Sequence, residues 1–240
     1  MNALFAFARV DVRNVRRDSL LSVVVASPLL LAVALRAGYP AAERWAAITH
    51  GVQLAPHRGL LLGFLVVVHV AFIFGMLGAL LVLDDADDRT LLALRVTPVT
   101  LEGYLRYRAA AVATLTLLGL ALAVPLSGLA SRLPLAVVPG LALTAVCAPI
   151  VTGVTVAMAS NKIEGLAIVK AMGVPVYLPL VIWFTDAPWT WALAVIPTFW
   201  PVRAVWAGLD GRVDAAALAV GAAYAVALLI LLRRRILNRA

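Results

Sequence analysis

The sequence predicts an all-α membrane protein with six transmembrane helices, and three observations carry that prediction. The chain of 240 residues is 64% hydrophobic and only 13% charged, too little charge to cover a water-facing surface of this size. Its mean hydropathy is +1.01, and its apolar residues fall into uncharged runs of membrane-spanning length. Basic residues gather in alternate connecting segments, the asymmetry expected of a polytopic chain.

The runs justify the spans in order. Residues 1–18 place Leu4, Phe5, Phe7 and Val12 among arginines, a pattern suited to a helix lying along the inner leaflet. Arginine and aspartate mingle over 9–18 and no small-residue cleavage site follows, so a cleavable signal peptide is not expected. The first span, 19–35, has 17 residues against the ~20 that cross a bilayer core, and so recruits its flanks. Spans two to four are expected at 59–83, 109–131 and 133–161. The fifth, 165–185, is interrupted only by Lys170 near one end, whose stem can reach the interface. Residues 187–206 carry Pro188, Pro197 and Pro201 with Trp189, Trp191 and Trp200. So many breakers and interfacial aromatics suit a re-entrant or extracytoplasmic hairpin better than a crossing. The last span is 215–232. With the N-terminus inside, inner segments hold fourteen Lys and Arg and outer segments six, so both termini are expected in the cytoplasm. No repeat or linker divides the chain, and a single domain over 1–240 is expected.

The formal charge of +8 reads as topology and attraction to anionic lipid, with no nucleic-acid partner. Cys147 is the only cysteine and lies in an apolar run. No GxxxxGK[ST] phosphate loop occurs, so neither ATP hydrolysis nor a bound cofactor is expected of this chain itself. His50, His57 and His69 lack metal-ligand spacing. His50 and His57 read as solvated loop residues beside Glu43. His69 sits mid-span, either as a neutral imidazole bonded to a neighbouring helix or as a group in a substrate or proton path.

The polar insertion 84–108 is the most informative segment. It opens with Asp84, Asp85, Asp87 and Asp88, which as the start of a short helix would complement its dipole. Leu91 and Leu94 follow at i, i+3 and give one apolar stripe. Pro98 ends that helix and a second helix leads into the third span. Such a segment serves either to receive force from a soluble partner or as an ordinary solvated loop.

The run Asp88-Arg89-Thr90-Leu91, Leu94, Thr97-Pro98-Val99-Thr100 resembles the cytoplasmic signature of ABC-2 type exporter permeases, with the usual glycine before the threonine absent. Ala93–Pro98, Tyr104-Leu105-Arg106-Tyr107-Arg108, Asn161-Lys162-Ile163-Glu164-Gly165 and Pro197-Thr198-Phe199-Trp200-Pro201 resemble a subgroup, the fluoroquinolone-export permeases of actinobacteria. The resemblance implies a pair of permease subunits, identical or sister, around a central path. Each would rest a coupling helix on a separate ATPase subunit that binds the ATP. It assigns coupling to Asp88, Arg89, Thr90, Leu91, Leu94, Thr97 and Pro98. It implies outward movement of a hydrophobic or amphiphilic small molecule, fluoroquinolone-type drugs included, across the cytoplasmic membrane. Because the second and fifth spans line the path in that family, it points to His69, Phe72, Phe74, Met76, Tyr177, Trp183 and Phe184. Aromatics and methionine suit flat apolar cargo, and the same residues also suit packing between helices or against lipid. Two other classes remain open. A secondary transporter would need mid-membrane ionisable groups beyond His69, and an enzyme acting on lipid would need more than Asn161, Lys162 and Glu164 at one interface.

Overall fold

The computed structural model describes residues 3–88, 90–93, 100–130 and 132–238, and among these every regular element is helical. Helix α1, Ala3–Arg17, is followed after a single residue by α2, Ser19–His50. The second span is composite: a 3-10 turn Ala55–His57, α3 at Arg58–Leu61, a π-helical stretch Leu62–Val68 and α4 at His69–Asp87. A four-residue helix, α5 at Thr90–Ala93, lies in the polar insertion. Then come α6, Leu101–Leu126, α7, Val138–Met158, and α8, Lys162–Tyr177, which tightens into a 3-10 segment Leu178–Trp183. A 3-10 helix Pro188–Val195 and α9, Phe199–Leu209, precede α10, Ala215–Leu237.

Six helical segments are long and apolar enough to cross a membrane: Leu21–His50, Ala55–Asp87, Leu101–Leu126, Leu135–Met158, Lys162–Trp183 and Ala215–Leu237. The expected count holds; the first, second and last helices run past the expected apolar cores, the third and fifth begin and end earlier than expected, and the fourth lies within its expected run. The largest departure is at the first connection, where 36–58 is not a loop, since α2 continues to His50 through Pro28 and Pro40. Three contacts hold that extension against the start of the second span. The Tyr39 hydroxyl donates to the Leu54 carbonyl at 2.9 Å, Arg58 pairs with Glu43 at 2.6 Å, and the Arg58 guanidinium lies 5.4 Å from the Tyr39 ring centre. The second span has 33 residues. At about 1.5 Å per residue it is longer than the ~30 Å core and projects beyond it.

Proline and tryptophan shape the hairpin as the sequence implies. Pro188–Val195 and α9 meet at 119°, with Pro197 in the break. The Trp200 indole donates across the bend to the Ala194 carbonyl at 3.1 Å. The hairpin seats itself through small residues: a Cβ on Gly208 would lie 2.6 Å from Val137 Cα, and one on Gly140 of α7 would lie 2.8 Å from the Val205 nitrogen. α4 and α7 approach in the same way at the centre. The Thr152 hydroxyl donates to the Gly75 carbonyl at 2.8 Å, and a Cβ on Gly75 would lie 2.7 Å from the Ala148 oxygen. Close backbone approach and an interhelical hydroxyl bond are what associate helices where no hydrophobic drive exists between them.

α1 and the last turns of α10 lie at one end of the bundle. Asp11 of α1 bonds Arg108 and Arg233 of α10 bonds Glu102, both partners being in the first turns of α6.

Candidate functional site

Arg108 organises the end of the bundle where α1 and the last turns of α10 meet α6. Its side chain is 4% exposed and lies between two carboxylates, 2.8 Å from Asp11 on α1 and 3.0 Å from Asp85 on α4. The Tyr107 hydroxyl donates to Asp11 at 2.7 Å, and the Tyr104 hydroxyl donates to Asp85. Arg108 in turn donates to the Tyr104 oxygen at 3.1 Å. Phe7 of α1 packs edge-on to Tyr104 with ring centres 5.7 Å apart. A buried guanidinium is tolerated where carboxylates and further hydrogen bonds compensate its desolvation, and here three helices are tied together by the compensation.

Alongside this hub, Lys162 at the start of α8 takes the other acids. Its ammonium lies 2.9 Å from Asp84 and 3.8 Å from Asp18, and its backbone N–H donates to Asp87 at 3.1 Å. Asn161 caps α8 by accepting from the Glu164 N–H at 3.0 Å. Thr100 caps α6 by accepting from the Gly103 N–H at 3.1 Å.

This geometry corrects the reading of the aspartate run. Asp84, Asp85 and Asp87 are not the start of a short helix. They close the last turn of α4, and Asp88 is its C-cap. Carboxylates at a helix C-terminus oppose its dipole, and Lys162 and Arg108 supply the positive charge that makes the placement tenable. Of the residues assigned to coupling, Asp88 and Thr90 are exposed. Leu91 is half-buried and packs on Val82 and Tyr104 together with Phe7, Leu101 and Leu105. Leu91 is therefore part of the hub's apolar floor as well as the insertion. Arg89, Leu94, Thr97 and Pro98 lie outside the described residues.

The residues assigned to a path divide into three places. His69, Phe72 and Tyr177 come together: His69 Nδ1 is 3.1 Å from the Tyr177 hydroxyl, and the Phe72 ring centre is 6.2 Å from that of Tyr177. Phe64, which no pattern in the sequence singles out, joins them edge-on at 4.8 Å. Trp183 and Phe184 lie at the far end. The Trp183 indole donates to His57 at 3.3 Å and stands edge-on to Trp206 at 4.9 Å, while Phe184 lies beside His57, ring centres 6.4 Å apart. Phe74 points elsewhere, buried against α6, where a Cβ on Gly119 would lie 2.4 Å from its ring. Met76 packs on the main core.

His69 directly follows the π-helical stretch. Just before that stretch, Trp206 on α9 ties the hairpin to the second span by donating to the Gly59 oxygen at 2.9 Å. The same indole would meet a Cβ on Gly63 at 2.9 Å, so glycine there is what admits the tryptophan. Beyond it, at the end away from α1, the hairpin forms a bowl of 640 Å³, lined by Trp191, Arg203, Trp206, Asp186, Asp210 and Asp214. Arg203 lies 4.9 Å from the Trp191 ring centre and 3.9 Å from Asp214. A neighbouring cavity of 350 Å³ shares Trp206 and Asp210 and is bounded by Arg58 and Trp183.

Comparison with known proteins decides the family. The family model for Rv2686c-like fluoroquinolones export permease proteins matches residues 11–233. The chain belongs to that family. The fluoroquinolones export permease proteins Rv2686c and MT2760, from two strains of Mycobacterium tuberculosis, are each 34% identical to it. Both matches cover 97% of this chain and 93% of the relative. No solved structure matches the chain significantly. Membership of the Rv2686c-like family and six apolar spans together make this a multi-pass membrane permease, a transporter subunit in kind rather than an enzyme. The match covers α2 to most of α10, hub and hairpin included.

Proposed function

We propose that the chain is the permease subunit of an ABC exporter, acting as one domain in the cytoplasmic membrane with both termini in the cytoplasm. A separate ATPase subunit binds and hydrolyses the ATP, and a second permease subunit, identical or sister, completes the path. The cargo is a hydrophobic or amphiphilic small molecule, with fluoroquinolone-type drugs the class named for its relatives. The observation that carries this reading is the match over residues 11–233 to a family of export permeases.

The side chains are consistent with it. Asp88 and Thr90 stand exposed at the foot of α4 and beside the hub, where a docked partner could push. Force applied there reaches α1, α4 and α6 through Arg108, and α8 through Lys162, without passing through a loop. The proposed path runs from the His69–Tyr177 aromatic cluster outward past Trp206 to the outer bowl, whose volume lies within the ~300–1,000 Å³ range of small-molecule sites. α1 lies along the inner leaflet in this arrangement.

The test uses the two exposed residues, because a charge at Leu91 would also disturb the hub. Asp88→Arg with Thr90→Arg should leave membrane levels unchanged, release the ATPase in a pull-down and abolish ATP-dependent efflux of a fluoroquinolone. Wild-type binding and efflux by that variant would overturn the coupling assignment. Efflux that survives ATP depletion but collapses with a protonophore would favour a secondary transporter.

A further inference from the structure

α4, α6, α7 and α10 enclose a groove of 240 Å³ at the α1 end of the bundle, apart from the aromatic cluster and the hairpin's bowl. Its walls are aliphatic, with Val156, Val226, Leu229 and Ile230 among them, and its charged members are Arg106, Arg108 and Arg233. Arg106 is in the second turn of α6, about 8 Å along it, and Arg233 is in the last two turns of α10. The arginines therefore stand at headgroup depth and the aliphatic walls run from them towards the bilayer centre.

Charge is unevenly balanced there. Arg108 is matched by Asp11 and Asp85. Arg233 and Arg106 share one carboxylate, Glu102, at 3.0 and 3.9 Å. Two guanidinium groups over one carboxylate leave a positive charge at the mouth of an apolar slot. Arg108 adds a second signal. Its side chain is more than nine-tenths buried, and its Nε has no hydrogen-bond partner. The volume is below the ~300 Å³ at which drug-sized sites begin, so a slender chain fits better than a polycyclic cargo.

We infer that this groove holds an acyl chain of an anionic phospholipid, with the phosphate on Arg106 and Arg233. A basic side chain near an anionic lipid surface is worth about fivefold in affinity, so two give about twenty-fivefold. Guanidinium suits the task, since its planar fork matches phosphate oxygens in pairs. The inference concerns the isolated chain and does not rest on the transport reading.

Delipidated protein in detergent, titrated with dioleoyl phosphatidylglycerol or dioleoyl phosphatidylcholine and followed by native mass spectrometry, tests it. Phosphatidylglycerol should bind at least tenfold more tightly than phosphatidylcholine. Arg106→Gln with Arg233→Gln should bring phosphatidylglycerol down about twenty-fivefold, to the level of phosphatidylcholine. Ala109→Phe, which fills the slot from a half-buried position on α6, should weaken both lipids. Equal binding of the two lipids would mean an unselective annulus. A phosphatidylglycerol preference untouched by the arginine changes would place that lipid elsewhere. Failure of phosphatidylglycerol to bind a wild-type dimer that Ala109→Phe converts to monomer would give the groove to a second copy of the chain. Any of these overturns the inference. Should Ala109→Phe fail to fold, the arginine pair decides it alone.

Discussion

The two ends of this bundle hold their charges in opposite ways. At the α1 end Arg108 is sealed between Asp11 and Asp85, with two tyrosine hydroxyls completing the coordination. At the far end Arg58 is 39% exposed beside Glu43, and Arg203 is shared between the Trp191 ring, 4.9 Å away, and the Asp214 carboxylate at 3.9 Å. Buried, multiply bonded charge fixes geometry because breaking any one bond strands the others. Half-solvated charge leaves partners replaceable by water and lets elements part at low cost. The contrast is that of a rigid base joined to a rim able to rearrange, the division of labour that the proposed ATP-driven cycle would need.

Arg108→Met should have the largest effect. It leaves the half-buried Asp11 and Asp85 without their shared cation, a loss of up to about 3–5 kcal/mol, and should abolish accumulation of monodisperse protein in fluorescence-detected size exclusion. Arg108→Lys should rescue only in part, since a compact ammonium does not reproduce the planar fork whose separate nitrogens meet Asp11 and Asp85. If Arg58→Met proved equally damaging, the contrast between the ends would be gone.

Next comes Tyr107→Phe, which deletes the hydroxyl on Asp11 while leaving the ring against Phe7. A charge-assisted bond of this sort is worth about 1.5–3 kcal/mol, visible as a lowered Tm in detergent. Arg58→Gln should cost no more than ~1 kcal/mol, as for partly exposed pairs, and its effect should fade in 1 M salt while that of Tyr107→Phe persists. Smallest of all should be Arg212→Gln. Its pair with Asp210 is 75% and 66% exposed, and no Tm change outside error is expected. A clear loss there would mean that the hairpin is held by charge after all.

The spans and the hairpin were legible because hydropathy, proline and tryptophan act locally, so a window of residues contains the cause. The helical course of 36–50 was not. Arg36, Pro40, Glu43 and Arg44 read as a loop, and what holds them helical is Tyr39 and Glu43 meeting Leu54 and Arg58 across a turn. The hub was hidden for a stronger version of the same reason. Arg108 looked like one more inner basic residue, and only folding brings positions 11, 85 and 108 together. A buried network has no sequence period to betray it. The aspartate run misled because acid next to a short apolar stripe fits a helix start, whereas long-range partners at Lys162 and Arg108 make it a helix end. The aromatic cluster was half legible. Tyr177 and His69 were expected on facing spans, but Phe64 belongs to a stretch with no regular α-helical phase.

That stretch, Leu62–Val68, also acts as a phase shifter. A π turn closes its hydrogen bond one residue later than an α turn, and one residue is about 100° of rotation around an α-helix. A helical wheel drawn unbroken from Arg58 to Asp87 therefore assigns the two halves of the span to the wrong relative faces. The first half is aimed by Gly59 and Gly63 against Trp183 and Trp206, the second half by Gly75 and Gly78 against α7 and α6. The span can satisfy both neighbours because the π stretch between them takes up the angular mismatch, as a spacer does between two gears cut to different teeth.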